Sequence, residues 1–151
     1  MLGHPSASHP CSPPAPPLHT GTASYDLEKF RTKQCKTFLE RGVDVRTLDV
    51  ARTTPPQAAV EEALGAADAV LVSGGNTLFA VERWRRAGLV EPLRAAAERG
   101  AVMCGGSAGA ICWFDGGHSD SADPDWFRAA MLAGEGAAAE GYGLSTANSS
   151  Q

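Results

Sequence analysis

The chain has 151 residues, of which 43% are apolar and 20% charged, and its formal net charge is −4. This length and composition suit one domain with a hydrophobic core, and the acidic balance gives no electrostatic basis for binding nucleic acid or an anionic membrane. No apolar run approaches the roughly 20 residues of a membrane-spanning helix, and no signal peptide is evident. The four cysteines lack metal-ligand spacing. We therefore predict a cytoplasmic protein without metal or cofactor.

The first 20 residues differ from the rest of the chain. Six of the ten prolines lie among them, mixed with serine, alanine and three of the four histidines. Proline removes a backbone donor and biases the preceding residue toward extended forms, which excludes a helix or a central strand. We therefore expect a disordered leader over residues 1–20.

Ordered sequence is expected from residue 21 onward. A helix with an apolar stripe is predicted from Ser24, which can cap it, to Gly42, which can end it. Residues 43–48 alternate polar and apolar side chains, which is typical of a strand near the edge of a sheet. A second helix is predicted from Thr54, where a cap is followed by proline, to Gly65.

Two further predicted strands each end in a glycine-rich turn. Ala69–Val72 is wholly apolar, as expected of a strand covered on both faces, and Gly74-Gly75-Asn76-Thr77 follows it. After a helix over residues 90–99, the strand 101–104 leads into Gly105-Gly106-Ser107-Ala108-Gly109. This alternation predicts an α/β fold with a parallel sheet and helices on both faces, and both turns fall at the carboxyl ends of strands, where such sheets bind ligands.

The second turn fits G-x-S-x-G, the nucleophile elbow, in which a sharp strand-to-helix turn exposes a serine hydroxyl. Glycines on both sides allow the unusual backbone angles and the close approach of strand and helix. The helix start adds free N–H groups that suit a developing oxyanion. Turns of this kind also occur for packing or for phosphate binding, so the pentapeptide alone leaves these alternatives open.

A polar loop over residues 113–124 follows the elbow and contains His118, Asp120 and Asp123. Residues 125–132 are compatible with one more helix. From residue 134 the chain is mainly glycine, alanine, serine and asparagine, with little to bury, so we predict a domain over residues 21–133 and a flexible tail over residues 134–151.

Taken together, the two turns resemble the dipeptidase E (α-aspartyl dipeptidase) family of serine peptidases, which are relatives of cyanophycinase. Ile111-Cys112-Trp113-Phe114 and Ser119-Asp120-Ser121 continue the likeness. The resemblance implies a flavodoxin-like fold related to the class I glutamine amidotransferases, which carry cysteine at the elbow.

Carried over by position, the resemblance makes Ser107 the nucleophile. The backbone N–H groups of Gly75 and Ala108 would form the oxyanion hole. Asp120 or Asp123 would be the acid that orients the base.

The chain departs from the family at both ends. The family's histidine base would fall near residues 143–148, but no histidine follows His118. His118, eleven residues after Ser107, is the substitute candidate. The family also has a strand before Thr22 that a proline-rich leader is not expected to supply. We therefore expect a chain truncated at both ends, with a gap inside the sheet.

The first functional hypothesis is a serine hydrolase that cleaves short peptides with an N-terminal aspartate through an acyl-enzyme on Ser107. The alternative is a catalytically inactive fragment or pseudoenzyme that keeps a binding site for a small acid or peptide. A third hypothesis, an amidotransferase-like domain acting with a partner, is disfavoured because serine replaces the elbow cysteine. The sequence leaves the oligomeric state open.

Overall fold

The computed structural model describes residues 15–119 and residue 121. Its four strands form one sheet in the order β2-β1-β3-β4, and every neighbouring pair is parallel. The predicted α/β class is therefore confirmed. The strands are β1 (Leu18–Thr20), β2 (Arg46–Thr47), β3 (Ala69–Val72) and β4 (Val102–Gly105).

Five helices accompany the strands within the described residues, and a single 3₁₀ turn over Thr22–Ser24 follows β1. The predicted positions of β3 and of the helix that precedes it are confirmed, as is the edge position of the strand predicted within residues 43–48. The helices are α1 (Glu28–Glu40), α2 (Gln57–Gly65), α3 (Thr77–Arg86), α4 (Val90–Glu98) and α5 (Ala108–Ile111).

The first helix begins later than predicted. Ser24 lies in the 3₁₀ turn, and Tyr25 and Asp26 both adopt positive φ angles, 57° and 54°. This left-handed pair interrupts any helix from Ser24, so α1 begins at Glu28. The Ser24 side chain is engaged elsewhere, since its hydroxyl donates to the carbonyl of Gly21 and lies 3.0 Å from the hydroxyl of Ser73.

The prediction of a disordered leader is wrong for residues 18–20. These three residues form β1, which is buried and lies between β2 and β3, so the gap expected inside the sheet does not exist. Proline lacks the N–H donor but keeps its carbonyl acceptor, and the carbonyl of Pro17 accepts from the N–H of Arg46 at 3.0 Å. Residues 1–14 of the predicted leader, the predicted helix 125–132 and the predicted tail lie outside the described residues.

Helices lie on both faces of the sheet. Successive side chains of β1 point to opposite faces, so this strand contacts both layers of helices. Leu18 points toward the main core, where it packs with Val70 and Val72 of β3 and with side chains of α2, α3 and α4. His19 points to the opposite face, where its Nε2 lies 2.9 Å from the side-chain oxygen of Gln34 in α1. The last strand, β4, is at the edge of the described sheet, and Val102 there is 61% exposed.

Candidate active site

Ser107 lies between the end of β4 and the start of α5 in a strained conformation. Its φ is 53° and its ψ is −120°, which non-glycine residues rarely adopt and which costs of order 1–3 kcal/mol. The residue is exposed, and its side chain does not cap α5. The predicted elbow is thus a sharp strand-to-helix turn, and its serine hydroxyl makes no hydrogen bond to the residues that the structure describes.

Gly109 brings this turn close to the end of β3. A Cβ atom at Gly109 would overlap the carbonyl oxygen of Val72 and would lie 2.7 Å from the carbonyl oxygen of Ser73. A Cβ at Gly105 would likewise lie 2.7 Å from the carbonyl oxygen of Val72. The two glycines therefore let the start of α5 pack directly on the backbone of β3.

The turn after β3 lies beside Ser107 as a result. A Cβ atom placed on Gly74 would be 3.6 Å from the Cβ of Ser107. The next residue, Gly75, has a φ of +139°, and a Cβ there would overlap the carbonyl oxygen of Ala23. That same carbonyl accepts from the N–H of Asn76 at 2.8 Å, so the turn is pressed against the 3₁₀ turn that follows β1.

The two N–H groups predicted to form an oxyanion hole have no acceptor within the described part of the chain. The N–H of Gly75 makes no hydrogen bond there, and neither does that of Ala108, the first residue of α5. N–H groups in the first turn of a helix have no intrahelical partner, and they favour negative charge in front of them. Ala108 directly follows Ser107 in the elbow, and the turn that carries Gly75 lies beside the elbow.

Asn76 caps the start of α3. Its side-chain oxygen accepts from the N–H of Phe79 at 2.8 Å, and the residue is fully buried. Its own backbone is extended, with a φ of −94°, so the unusual backbone angle belongs to Gly75. Asn76 therefore fixes the start of α3.

The loop after the elbow is anchored to the start of α3 by two serines that sequence reasoning did not single out. Ser121, only 4% exposed, accepts from the N–H of Thr77 through its hydroxyl at 2.9 Å. The Ser119 hydroxyl lies 2.8 Å from that of Ser121 and 3.3 Å from that of Thr77. The only sequence signal for this anchor was the family likeness of the Ser119–Ser121 tripeptide.

The acid and the base are not assembled by the described residues. His118 is exposed, and no hydrogen bond joins it to Ser107 among the described residues. Asp120 and Asp123, the predicted orienting acids, lie outside the described residues. The roles of His118 and Asp120 therefore stay predictions.

A groove of about 850 Å³ lies beside the elbow, between α3, α4 and the segment that follows α5. Its walls are mainly apolar and include Trp84 and Trp113, whose rings stack with centroids 5.7 Å apart. Thr77 lines the groove, but Ser107 and Gly75 do not. The groove is therefore next to the candidate catalytic turn and not over its nucleophile.

Thiol and metal chemistry find little support in the described ranges. Burial raises the pKa of the Cys112 thiol to about 12, and it also raises that of Cys104. A thiol with so high a pKa is a poor nucleophile. Within residues 15–119 and 121, no three His, Cys, Asp or Glu residues are placed to hold a metal ion. No helix in the same residues is both long and apolar enough to cross a membrane.

Comparison with known proteins links this geometry to a group of hydrolases. The model of Peptidase family S51 matches residues 19–135. "Uncharacterized peptidase YgaJ" of Bacillus subtilis (strain 168) is 43% identical over 70 residues, which make up 46% of this chain and 30% of that protein. The crystal structure of a candidate peptidase E from Listeria monocytogenes EGD-e superposes with a TM-score of 0.55 at 29% identity, covering 64% of this chain and 48% of that one. The chain thus spans less than half the length of either relative.

Proposed function

Because the chain belongs to peptidase family S51, we propose that it is a serine hydrolase that cleaves peptide bonds with Ser107 as the nucleophile. One observation carries the proposal: an exposed serine in a strained strand-to-helix turn lies beside the turn that follows β3, and the N–H groups of Ala108 and Gly75 in these two turns are unpaired among the described residues. A phosphate site would also use free N–H groups, but it would not need a strained serine between them.

In the proposed reaction, the Ser107 hydroxyl oxygen attacks the carbonyl carbon of the scissile bond. The carbonyl oxygen becomes an oxyanion and accepts hydrogen bonds from the N–H groups of Gly75 and Ala108. Loss of one such donor typically costs about 2.7–4 kcal/mol of transition-state stabilisation. Collapse of this intermediate expels the amine and leaves an acyl-enzyme, and attack by water then releases the acid and restores Ser107.

The proton of Ser107 must pass to a base and then to the leaving amine. His118 is the proposed base from this chain, oriented by Asp120 or Asp123, because no other histidine lies after residue 19. This role requires the loop to bring the imidazole within about 3 Å of the Ser107 hydroxyl.

The proposed substrates are short peptides with an N-terminal aspartate. This preference rests on the family likeness alone, since no described residue identifies the pocket for the acidic side chain. We further propose that the protein acts in the cytoplasm, because Cys35, Cys104 and Cys112 are unpaired thiols.

The alternative function is that of an inactive relative that binds a small acid or peptide at the same turns. It is favoured by the exposure of His118 and by the absence of a hydrogen bond between that residue and Ser107 in the described structure. An amidotransferase-like role is less consistent with the chain, because the elbow carries serine and the nearby Cys112 thiol has a pKa of about 12.

Labelling with a fluorophosphonate probe separates these functions. The peptidase proposal expects one labelled peptide, containing Ser107, and no labelling of the Ser107→Ala variant or of urea-unfolded protein. Hydrolysis of an aspartyl p-nitroanilide by the parent chain, Ser107→Ala and His118→Ala then tests the base. Activity that disappears in both variants supports His118, whereas labelling or turnover that survives Ser107→Ala would refute the nucleophile.

A further inference from the structure

The start of α3 is held by its own cap and by hydrogen bonds to two other segments of the chain. The N–H of Asn76 donates to the carbonyl of Ala23, the side chain of Asn76 accepts from Phe79, and the hydroxyl of Ser121 accepts from Thr77. Only the last of these reaches across to the loop that follows the elbow. We call the pair Ser119 and Ser121 the serine clasp.

We propose that Ser121, supported by Ser119, is a positioning residue for the oxyanion hole. By holding the N–H of Thr77, it fixes the orientation of the turn that carries the N–H of Gly75 two residues earlier. This inference rests on the proposed function, because it assigns a role toward the N–H that would receive the substrate oxygen.

Glycine at position 75 leaves the backbone of the turn free to rotate unless its neighbours restrain it. Glycine has no side chain to limit rotation of the adjoining peptide planes, and the φ of +139° at Gly75 is held only by its surroundings. The next two N–H groups, of Asn76 and Thr77, are both anchored, the first to Ala23 and the second to Ser121. Removing the Ser121 hydroxyl therefore removes one of two anchors immediately after the catalytic donor.

The clasp also determines which donor remains available. The N–H of Thr77 is the first of the α3 helix and would attract an anion if it were free. Ser121 occupies it at 2.9 Å, so among the described residues the N–H of Gly75 is left unpaired for a substrate oxygen and that of Thr77 is already engaged. A displaced clasp would offer the oxygen a competing donor in the wrong place.

The Ser121 hydroxyl is engaged by two partners, as expected of a side chain that positions its neighbours. A serine hydroxyl oxygen has two acceptor positions, and here the N–H of Thr77 and the hydroxyl of Ser119 both approach it, at 2.9 Å and 2.8 Å. Ser119 is in turn 3.3 Å from the Thr77 hydroxyl, so both serines converge on one residue. A serine that only filled space in the loop would not need hydrogen-bond partners at both acceptor positions of its hydroxyl oxygen.

The test compares four variants of the full chain: Ser121→Ala, Ser121→Thr, Ser119→Ala and, as a control, Thr32→Ala, which removes an exposed hydroxyl on α1. Saturation kinetics of Ser107 labelling by a fluorophosphonate give kinact and KI separately. In Ser121→Ala we expect kinact to fall by about tenfold to hundredfold, part of the effect of losing a whole oxyanion donor, with KI nearly unchanged. Ser121→Thr should retain the parent kinact, Ser119→Ala should lose less, and Thr32→Ala nothing.

Hydrogen exchange of the segment 74–79 supplies a second measurement that needs no reaction at Ser107. We expect exchange in Ser121→Ala to be at least about fivefold faster than in the parent. If the parent is not labelled at Ser107, the proposed function fails. In that case, exchange of the segment 74–79 that is no faster in Ser121→Ala than in the parent would overturn the inference as well. If the parent is labelled, a Ser121→Ala variant with parental kinact overturns the inference alone. A failure of Ser121→Ala to fold leaves the decision to Ser119→Ala, and parental kinact and exchange in that variant would overturn it.

Discussion

Gly75→Ala is expected to destabilise the protein strongly, although alanine is only one methyl group larger. A φ of +139° is open to glycine and costs any other residue of order 1–3 kcal/mol. The new methyl group would overlap the carbonyl oxygen of Ala23 and lie 2.6 Å from its carbonyl carbon. Because these are backbone atoms, relief requires movement of the 3₁₀ turn, and overpacking of this kind costs about 1–3 kcal/mol more.

Together the two effects amount to about 2–6 kcal/mol. For a domain of this size each kcal/mol lowers the midpoint of thermal unfolding by roughly 2–8 °C, so the variant should melt at least about 4 °C below the parent. Gly106→Ala is the matched control, because a Cβ there has no neighbour within 4 Å. It should melt within about 2 °C of the parent.

Thermal unfolding followed by circular dichroism decides the matter for all three proteins. If Gly75→Ala melts with the parent, the contact with Ala23 does not restrain the turn, and the reasoning is refuted. If Gly75→Ala and Gly106→Ala are equally destabilised, the effect belongs to the loss of glycine in general. A loss of Ser107 labelling in Gly75→Ala would then report a displaced turn, which makes the Ser121 variants the cleaner probe of the oxyanion hole.

Three further results are expected from the remaining features. Burial, the largest cause, lowers the pKa of His19 below its ordinary value of 6.5, so the unfolded chain binds a proton first and the free energy of unfolding should fall as the pH drops below 6.5. Urea melts from about pH 7.5 to 5.5 should show this slope in the parent and in His118→Ala and a weaker one in His19→Gln; equal slopes would contradict it. Since the Cys112 thiol is half-buried and has a pKa of about 12, iodoacetamide at mildly alkaline pH should modify Cys112 much faster after unfolding in urea than in the native protein, and equally rapid modification of the native protein would contradict the raised pKa. Ser107→Gly should raise the melting temperature, because relief of about 1–3 kcal/mol of strain exceeds the entropy cost of glycine; an unchanged or lower melting temperature would mean that Ser107 is not strained.

The sequence predicted those elements that have clear boundaries of their own. The Ala69–Val72 strand is wholly apolar and ends at glycines, and the structure places β3 over those residues. The first strand was missed because it has only three residues, two of them polar, directly after a proline. Its burial depends on distant partners, such as Gln34 for His19, and no local pattern contains that information.

The same distinction separates the predicted and unpredicted parts of the candidate site. The glycine spacing around Ser107 indicates a strained turn without any knowledge of the rest of the fold. The contact of Ser121 with Thr77 joins residues 44 positions apart, and only the folded chain brings them together. Ser24 failed as a helix cap for a similar reason, since Ser73, 49 residues away, engages it instead.

The relation between Gly75 and Ser107 ultimately depends on the register of two strands. Val72 is paired with Gly105, so β3 and β4 end at the same level and their turns emerge side by side. A slip of two residues would move one turn by about 6.6 Å along the sheet, which is beyond the reach of a hydrogen bond. This register requires glycine at positions 105 and 109, because a Cβ at either position would collide with the carbonyl oxygen of Val72. The residues that permit the elbow therefore also set its distance from the N–H of Gly75, and a side chain at Gly109 would displace Ser107, the proposed nucleophile, from the proposed oxyanion hole without touching either one.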